Sequence, residues 1–208
     1  MTTTPPAAGH PEQPAPPRDP APPTGAPDER LHDDRPRYRA LVVTASQRAA
    51  AGVYPDKGGP LLAEGLAALG FAVDGPRVVP DGDPVGTALR EAVAAAYDVV
   101  VTTGGTGIAP TDRTPEMTRA VLDYEIPGIP EALRAEGLAK VPTAALSRGL
   151  AGVAGTTLII NLPGSSGGVR DGLTVLGRLL THAVDQLRGG DHQRPAEPVP
   201  DGSVGSPR

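Results

Sequence analysis

Three short runs of consecutive apolar, largely β-branched residues punctuate the chain: RALVVTAS (39–46), DVVVTT (98–103) and TLIINL (157–162). Unbroken apolarity over such a length predicts strands buried on both faces. Residues 146–153 predict a further strand, separated from TLIINL around Gly155. FAVDGPRVV (71–79) predicts another, which Gly75-Pro76 demotes to an edge or bulged strand. Between these runs the apolar residues recur with a period of about 3.6. Leu61, Leu62, Leu66 and Leu69 recur at helical spacing after Pro60 and stop at Gly70. Pro84–Tyr97 keeps Val85, Ala88, Leu89, Ala92, Val93 and Ala96 on one face. Thr114 reads as an N-cap with Pro115 at the first helical position, opening a helix to about Leu122. Another helix covers roughly Pro130–Leu138. The last steps through Val169, Leu173, Leu176, Leu180, Ala183 and Leu187. The order β-α-β-α-β-α-(α)-β-β-α predicts an α/β fold: a three-layer α/β/α sandwich around a mostly parallel sheet.

Composition then sets the boundaries. Of 26 prolines among 208 residues, eleven fall within 1–37 and four within 189–208. Residues 1–37 hold almost no Leu, Ile, Val or aromatic side chain, so they are expected to be a disordered, Pro-rich extension, and 189–208 a disordered tail. The folded domain is expected over 38–188. Its 13 basic and 15 acidic residues leave it nearly neutral, which argues against nucleic acid as a partner. No cysteine is present, so disulfides, thiol nucleophiles and iron–sulfur sites are excluded. His182 is the one histidine of the core, which leaves a histidine metal centre or a Ser-His-Asp arrangement without its parts. No run approaches the roughly 18–20 apolar residues that span a bilayer. No basic segment followed by an apolar stretch opens the chain. A cytoplasmic location, away from membranes, is the expectation.

In sheets of this type ligands collect where strands end and helices begin. Three such exits carry polar chemistry. Gly104-Gly105-Thr106-Gly107 directly follows DVVVTT, where glycine backbone lets N–H groups approach a phosphate and Thr106 adds a hydroxyl; a tight turn would use the same residues. No GK[ST] follows, so it is not a P-loop, and a third glycine at the dinucleotide-fingerprint offset is missing. Asn161-Leu162-Pro163-Gly164-Ser165-Ser166-Gly167-Gly168 precedes the last helix, whose N-terminus suits an anion, while Ser165 or Ser166 also suits a helix cap. Asp81 and Asp112 each stand beyond a strand. Singly they read as turn or helix-start residues; together they suit Mg²⁺ held against phosphates. Chemistry on a phosphate anhydride follows, since phosphoryl-type transfer depends on positioning and charge neutralisation. Lys57, in the loop after the first strand, is a candidate phosphate contact or a solvated side chain.

TTGGTGIAPTDRTPE (102–116) resembles the MogA/MoaB family of molybdenum cofactor biosynthesis proteins, shared with the G domain of gephyrin. SQRAAAGVYPDKG (46–58), VVPD (78–81), PGIPEALR (127–134) and ALSRGLAGVAGTTLIINLPGSSGGVRD (145–171) resemble it in the same order. The resemblance covers the core and neither terminal segment. It implies a molybdopterin adenylyltransferase, with ATP and molybdopterin as substrates and Mg²⁺ as cofactor. AMP would pass to the terminal phosphate of molybdopterin with release of pyrophosphate, so no protein nucleophile is required. Matched by motif, Asp81 and Asp112 take the catalytic and Mg²⁺ positions. Thr106, Asn161 and Pro163 match ligand-contacting positions, and Gly104, Gly105 and Gly107 the loop backbone; Gly164 and Ser165 accompany them. Ser46, Asp56 and Lys57 match the family's first loop. The resemblance further implies a homo-oligomer, trimer or hexamer, and a downstream molybdate-insertion protein as partner. Thr111 stands where many members have Arg, with Arg113 just after Asp112.

Two other readings compete. One is a non-catalytic MoaB-like protein that binds or carries molybdopterin without turnover. The other is a nucleotide hydrolase on the same domain, as in CinA-like proteins.

Overall fold

The computed structural model describes residues 38–189. The Pro-rich extension at 1–37, the tail from 190 onward and His192 within it lie outside the described residues. The expected runs become β1 (Tyr38–Ala45), β2 (Phe71–Val79), β3 (Val99–Thr103), β5 (Ala151–Ala154) and β6 (Thr157–Leu162), joined by a two-residue β4 (Tyr124–Glu125). They form one six-stranded sheet in the order β2-β1-β3-β6-β5-β4. β2, β1, β3 and β6 are mutually parallel, whereas β5 turns back antiparallel to β6 and β4 antiparallel to β5. Every residue of β3 and β6 is buried, as a central strand covered on both sides requires. β2 occupies the edge, and its register against β1 slips between Leu41 and Val43, opposite Gly75-Pro76. Proline there has no N–H to give the ladder, so both expectations for this strand hold together.

The helices are α1 (Gln47–Ala50), α2 (Gly58–Ala68), α3 (Asp83–Ala94), α4 (Thr114–Arg119), α5 (Gly128–Leu138) and α6 (Ser166–Leu187), with a 3₁₀ turn at Pro142–Leu146. Strand residues alternate between two cores. Val42, Val99, Val101, Leu158 and Ile160 meet Leu62 and Leu66 of α2, Ile129 of α5 and Val169, Leu176 and Leu180 of α6. Val43, Val100 and Ile159 face the other way, onto Val85, Ala88, Leu89 and Ala92 of α3. The result is the three-layer α/β/α sandwich. Arg188 closes its C-terminal end, donating from Nε to the buried Asp98 at 2.7 Å and covering the Tyr38 ring at 4.8 Å.

Local boundaries differ from the sequence reading in four places. The strand expected over 146–153 forms only over Ala151–Ala154: Leu146 ends a 3₁₀ turn, and Arg148 gives its N–H and Nε to Thr106 O and Gly107 O of the glycine loop rather than to a ladder. α3 stops at Ala94, short of Tyr97. α4 ends at Arg119, short of Leu122. Thr114 is not the cap of α4: Arg113 holds that position, and the Thr114 hydroxyl donates to Asp81 Oδ1 at 3.2 Å instead. A tertiary acceptor has taken the side chain that local pattern assigned to capping.

Candidate active site

The parallel strands deliver their C-terminal ends to one edge of the sheet, and the polar loops gather there. Gly104 leaves β3 with its N–H bonded to Leu162 O at 3.1 Å and a φ of +96°. A Cβ on it would meet Ala45 O at 2.3 Å, so only glycine lets the loop pass this close to β1. Gly105 follows at φ +63°, and its carbonyl takes the Thr114 N–H at 3.1 Å, closing the loop onto the start of α4.

Asp81 sits behind this loop. Its Oδ1 accepts from Gly82 N at 2.7 Å, Arg113 N at 3.2 Å and the Thr114 hydroxyl. Its Oδ2 is buried and has no hydrogen-bond partner. Burial raises the Asp81 pKa above its ordinary value; the two backbone N–H groups and Thr114 pull against this, and the nearby Asp112 charge adds to the rise. Asp112 stands on the other side, its Oδ2 accepting only from Ala109 N at 3.2 Å.

Arg148 fixes the loop from outside. Its N–H donates to Thr106 O at 2.8 Å, its Nε to Gly107 O at 2.6 Å and its Nη2 to Asp112 O at 2.5 Å, while Nη1 pairs with Glu116. Burial would raise the Glu116 pKa, but the Arg148 hydrogen bond and charge outweigh it and lower the value.

The second loop leaves β6 beside the first. The Thr103 hydroxyl donates to Pro163 O at 2.9 Å, bonding the two strand exits together. Ser165 caps α6, its Oγ accepting from Gly168 N at 3.1 Å, at the positive end of a 22-residue helix. Asn161, 2% exposed, is fully engaged inside: Nδ2 donates to the Thr102 and Thr118 hydroxyls, and Oδ1 accepts from Leu150 N.

Between the loops and α5 lies a cleft of about 710 Å³. Its wall brings together Gly104, Gly105, Thr106, Gly107, Asp112, Asn161, Pro163, Gly164 and Ser165. Asp81 is one layer behind, under Gly105. Ser46 and Lys57 are not among the residues that line the cleft: Ser46 caps α1 through Ala49 N, and Lys57 is exposed at the start of α2. The working member of that first loop is Asp56, which takes Gly58 N, Gly59 N and the Thr44 hydroxyl. The sequence reading assigned no role to Arg134, Lys140, Arg148 or Asp171. The first two and Asp171 line the cleft, and Arg148 grips its loop. Arg134, Arg148 and Asp171 find partners 13 or more positions away, which no local spacing announces, whereas Lys140 also pairs with Glu136 one helical turn back.

The donor set suits Mg²⁺. It offers hard carboxylate oxygens, one of them, Asp81 Oδ2, without a partner. Among the described residues no group of three or more His, Cys, Asp or Glu is assembled, so phosphate oxygens and water would have to complete the shell, as Mg²⁺ commonly requires.

A family model described as a probable molybdopterin binding domain matches residues 41–182. A molybdenum cofactor biosynthesis bifunctional protein of Chlorobaculum tepidum is 36% identical over 155 residues, 74% of this chain and 50% of its own length. The chain thus spans about half the length of the bifunctional relatives it matches. A molybdopterin adenylyltransferase of Helicobacter pylori is 39% identical over 155 residues, 71% of this chain and 86% of that protein. Among solved structures, the molybdopterin biosynthesis Mog protein from Mycobacterium ulcerans superposes with a TM-score of 0.70 at 58% identity, covering 72% of this chain and 99% of that one. With two glycine-lined loops meeting over one cleft and this match along most of the sheet, the chain belongs to the molybdopterin-binding domain family of molybdenum cofactor biosynthesis proteins.

Proposed function

We propose that this protein is a molybdopterin adenylyltransferase. A terminal phosphate oxygen of molybdopterin attacks the α-phosphorus of ATP, the α–β anhydride bond breaks, and pyrophosphate leaves. The observation that carries this reading is the convergence of two anion cradles and a carboxylate on one cleft. The Gly104–Gly107 loop and the N-terminus of α6 open onto the same space as Asp112. The chain's part is to hold two phosphorylated substrates in line and neutralise charge, so the absence of cysteine is no obstacle. Asp112 and Asp81 are the residues that would hold Mg²⁺, which when bound shields the negative phosphates from each other. Asp81 also fixes the turn into α4 through Arg113 N and the Thr114 hydroxyl. The adenylyltransferase name of the Helicobacter pylori relative supports the same reading.

We assign the protein to the cytoplasm; among the described residues no helix is long and apolar enough to cross a membrane. A trimer or hexamer would cover exposed apolar side chains such as Val53, Tyr54 and Ile108. The adenylylated product would pass to a molybdate-insertion protein.

The deciding experiment is a single-turnover assay with ATP, Mg²⁺ and molybdopterin on wild type, Asp81→Asn and Asp112→Asn. Adenylyl-molybdopterin from wild type, lost in both variants while molybdopterin still binds, is the expected result. Normal binding without product in the wild type would overturn it in favour of a carrier. ATP hydrolysis without the pterin would point to a hydrolase.

A further inference from the structure

We propose that Arg134 forms a second oxyanion subsite in the cleft, gripping a pyrophosphate group through the free edge of its guanidinium. The identity of the molecule that brings this group rests on the adenylyltransferase reading; the subsite itself does not.

Pro130, Leu133, Arg134 and Gly137 follow one another at i, i+3, i+4 and i+7 along α5, and all four line the cleft. Arg134 is half-buried in that wall. Only Nη1 is engaged, donating to Ser147 O at 3.4 Å and Gly149 O at 3.2 Å. Both acceptors are neutral carbonyls, so they orient the side chain without cancelling its charge. Lys140, the other cation of the cleft, is the contrast: Asp171 at 2.5 Å and Glu136 at 3.0 Å neutralise it. Among the described residues no carboxylate lies in ion-pair range of Arg134. A guanidinium partly withdrawn from water with Nε and Nη2 unengaged is built to receive an anion, and its fork matches two phosphate oxygens at once.

Its placement favours a diphosphate over a lone phosphate. Ser147 and Gly149, which hold Arg134, flank Arg148, which holds Thr106, Gly107 and Asp112. One three-residue segment therefore fixes both the guanidinium and the glycine loop. A group seated on the loop amides and a group seated on Arg134 are expected to belong to one anion of two or more linked phosphates.

The test is calorimetric titration of the full chain with sodium pyrophosphate, without nucleotide, on wild type, Arg134→Gln, Arg134→Lys and Lys140→Gln, with a thermal melt of each. Arg134→Gln should weaken binding by roughly 10–100-fold, the usual worth of charge-assisted hydrogen bonds. Arg134→Lys keeps the charge but not the fork and should bind about tenfold more weakly than wild type. Lys140→Gln should change it less than about threefold, its charge being already cancelled. Should Arg134→Gln fail to fold, Arg134→Lys decides. Wild-type affinity in a folded Arg134 variant, or no pyrophosphate binding by the wild type, overturns the proposal. The same samples assayed for AMP transfer separate the two claims. Transfer with Arg134-indifferent binding defeats the subsite alone, whereas Arg134-dependent binding without transfer defeats the enzyme reading alone.

Discussion

Asp81 and Gly105 compete for one volume: the carboxylate Oδ2 lies 1.9 Å from where a Cβ on residue 105 would stand. The glycine is thus required twice, once by its φ of +63° and once by the acid packed against it. Thr114 Oγ1, 2.4 Å from the same point, blocks any escape in that direction.

Gly105→Ala should therefore cost about 2 kcal/mol or more, combining a left-handed backbone with a forced shift of Asp81. Urea unfolding should register that loss, and AMP transfer should be abolished. A stable, active Gly105→Ala protein would mean that the carboxylate moves aside freely.

The raised pKa of Asp81 gives a signed prediction. The unfolded carboxyl titrates near 3.8, the folded one higher. Between those values the folded state holds more protons, so this group's contribution makes stability fall as pH rises through the window and stay lower above it. Asp81→Asn removes the titration. Its stability relative to wild type should increase from pH 3.5 upward and then level off, even as transfer activity is lost. Denaturant midpoints for both proteins across that range check it; a pH-independent difference refutes it.

Asn161→Ala strips partners from two hydroxyls and one backbone N–H in a buried position. A loss of about 2–4 kcal/mol is expected, as for other unsatisfied buried polar groups. Equilibrium unfolding measures it, with the molybdopterin affinity of the folded fraction as a second readout.

Arg148→Ala releases Gly107 O and Asp112 O together. Because the Arg148–Glu116 pair is about two-fifths exposed, the stability cost should be modest, about 1 kcal/mol. Transfer should fall by roughly 10²-fold, since small misplacements of positioning groups are expensive. Amide hydrogen exchange over residues 104–113 should accelerate, and Arg148→Lys, lacking the fork, should not restore it.

Legibility in the sequence followed burial. β3 and β6 were readable because a strand covered on both faces must be continuously apolar, and α6 because one of its faces seals a core. α1 buries nothing and β4 is two exposed residues, so neither left a pattern. The glycine loop, Asp112 and Ser165 were legible as residue types suited to strand exits. Their supports were not. Thr114 carries a correct capping signature, yet a carboxylate 33 positions away takes its hydroxyl. The Arg148 guanidinium bonds to carbonyls up to 41 positions back, a relationship no local spacing encodes.

The bond from Thr103 to Pro163 and the approach of Gly164 to Gly104, where a Cβ would come within 3.1 Å of its neighbour's Cα, have an evolutionary consequence. The two cradles cannot drift separately. A side chain gained at Gly164 must be accommodated by the Gly104 loop, and one gained at Gly104 by Ala45 of β1, so altered substrate preference is most accessible from the α5 wall, where Leu133 lines the cleft without such a constraint. A library aimed at new nucleotides or new pterins should randomise the apolar cleft positions of α5 and leave Arg134 and the strand exits intact.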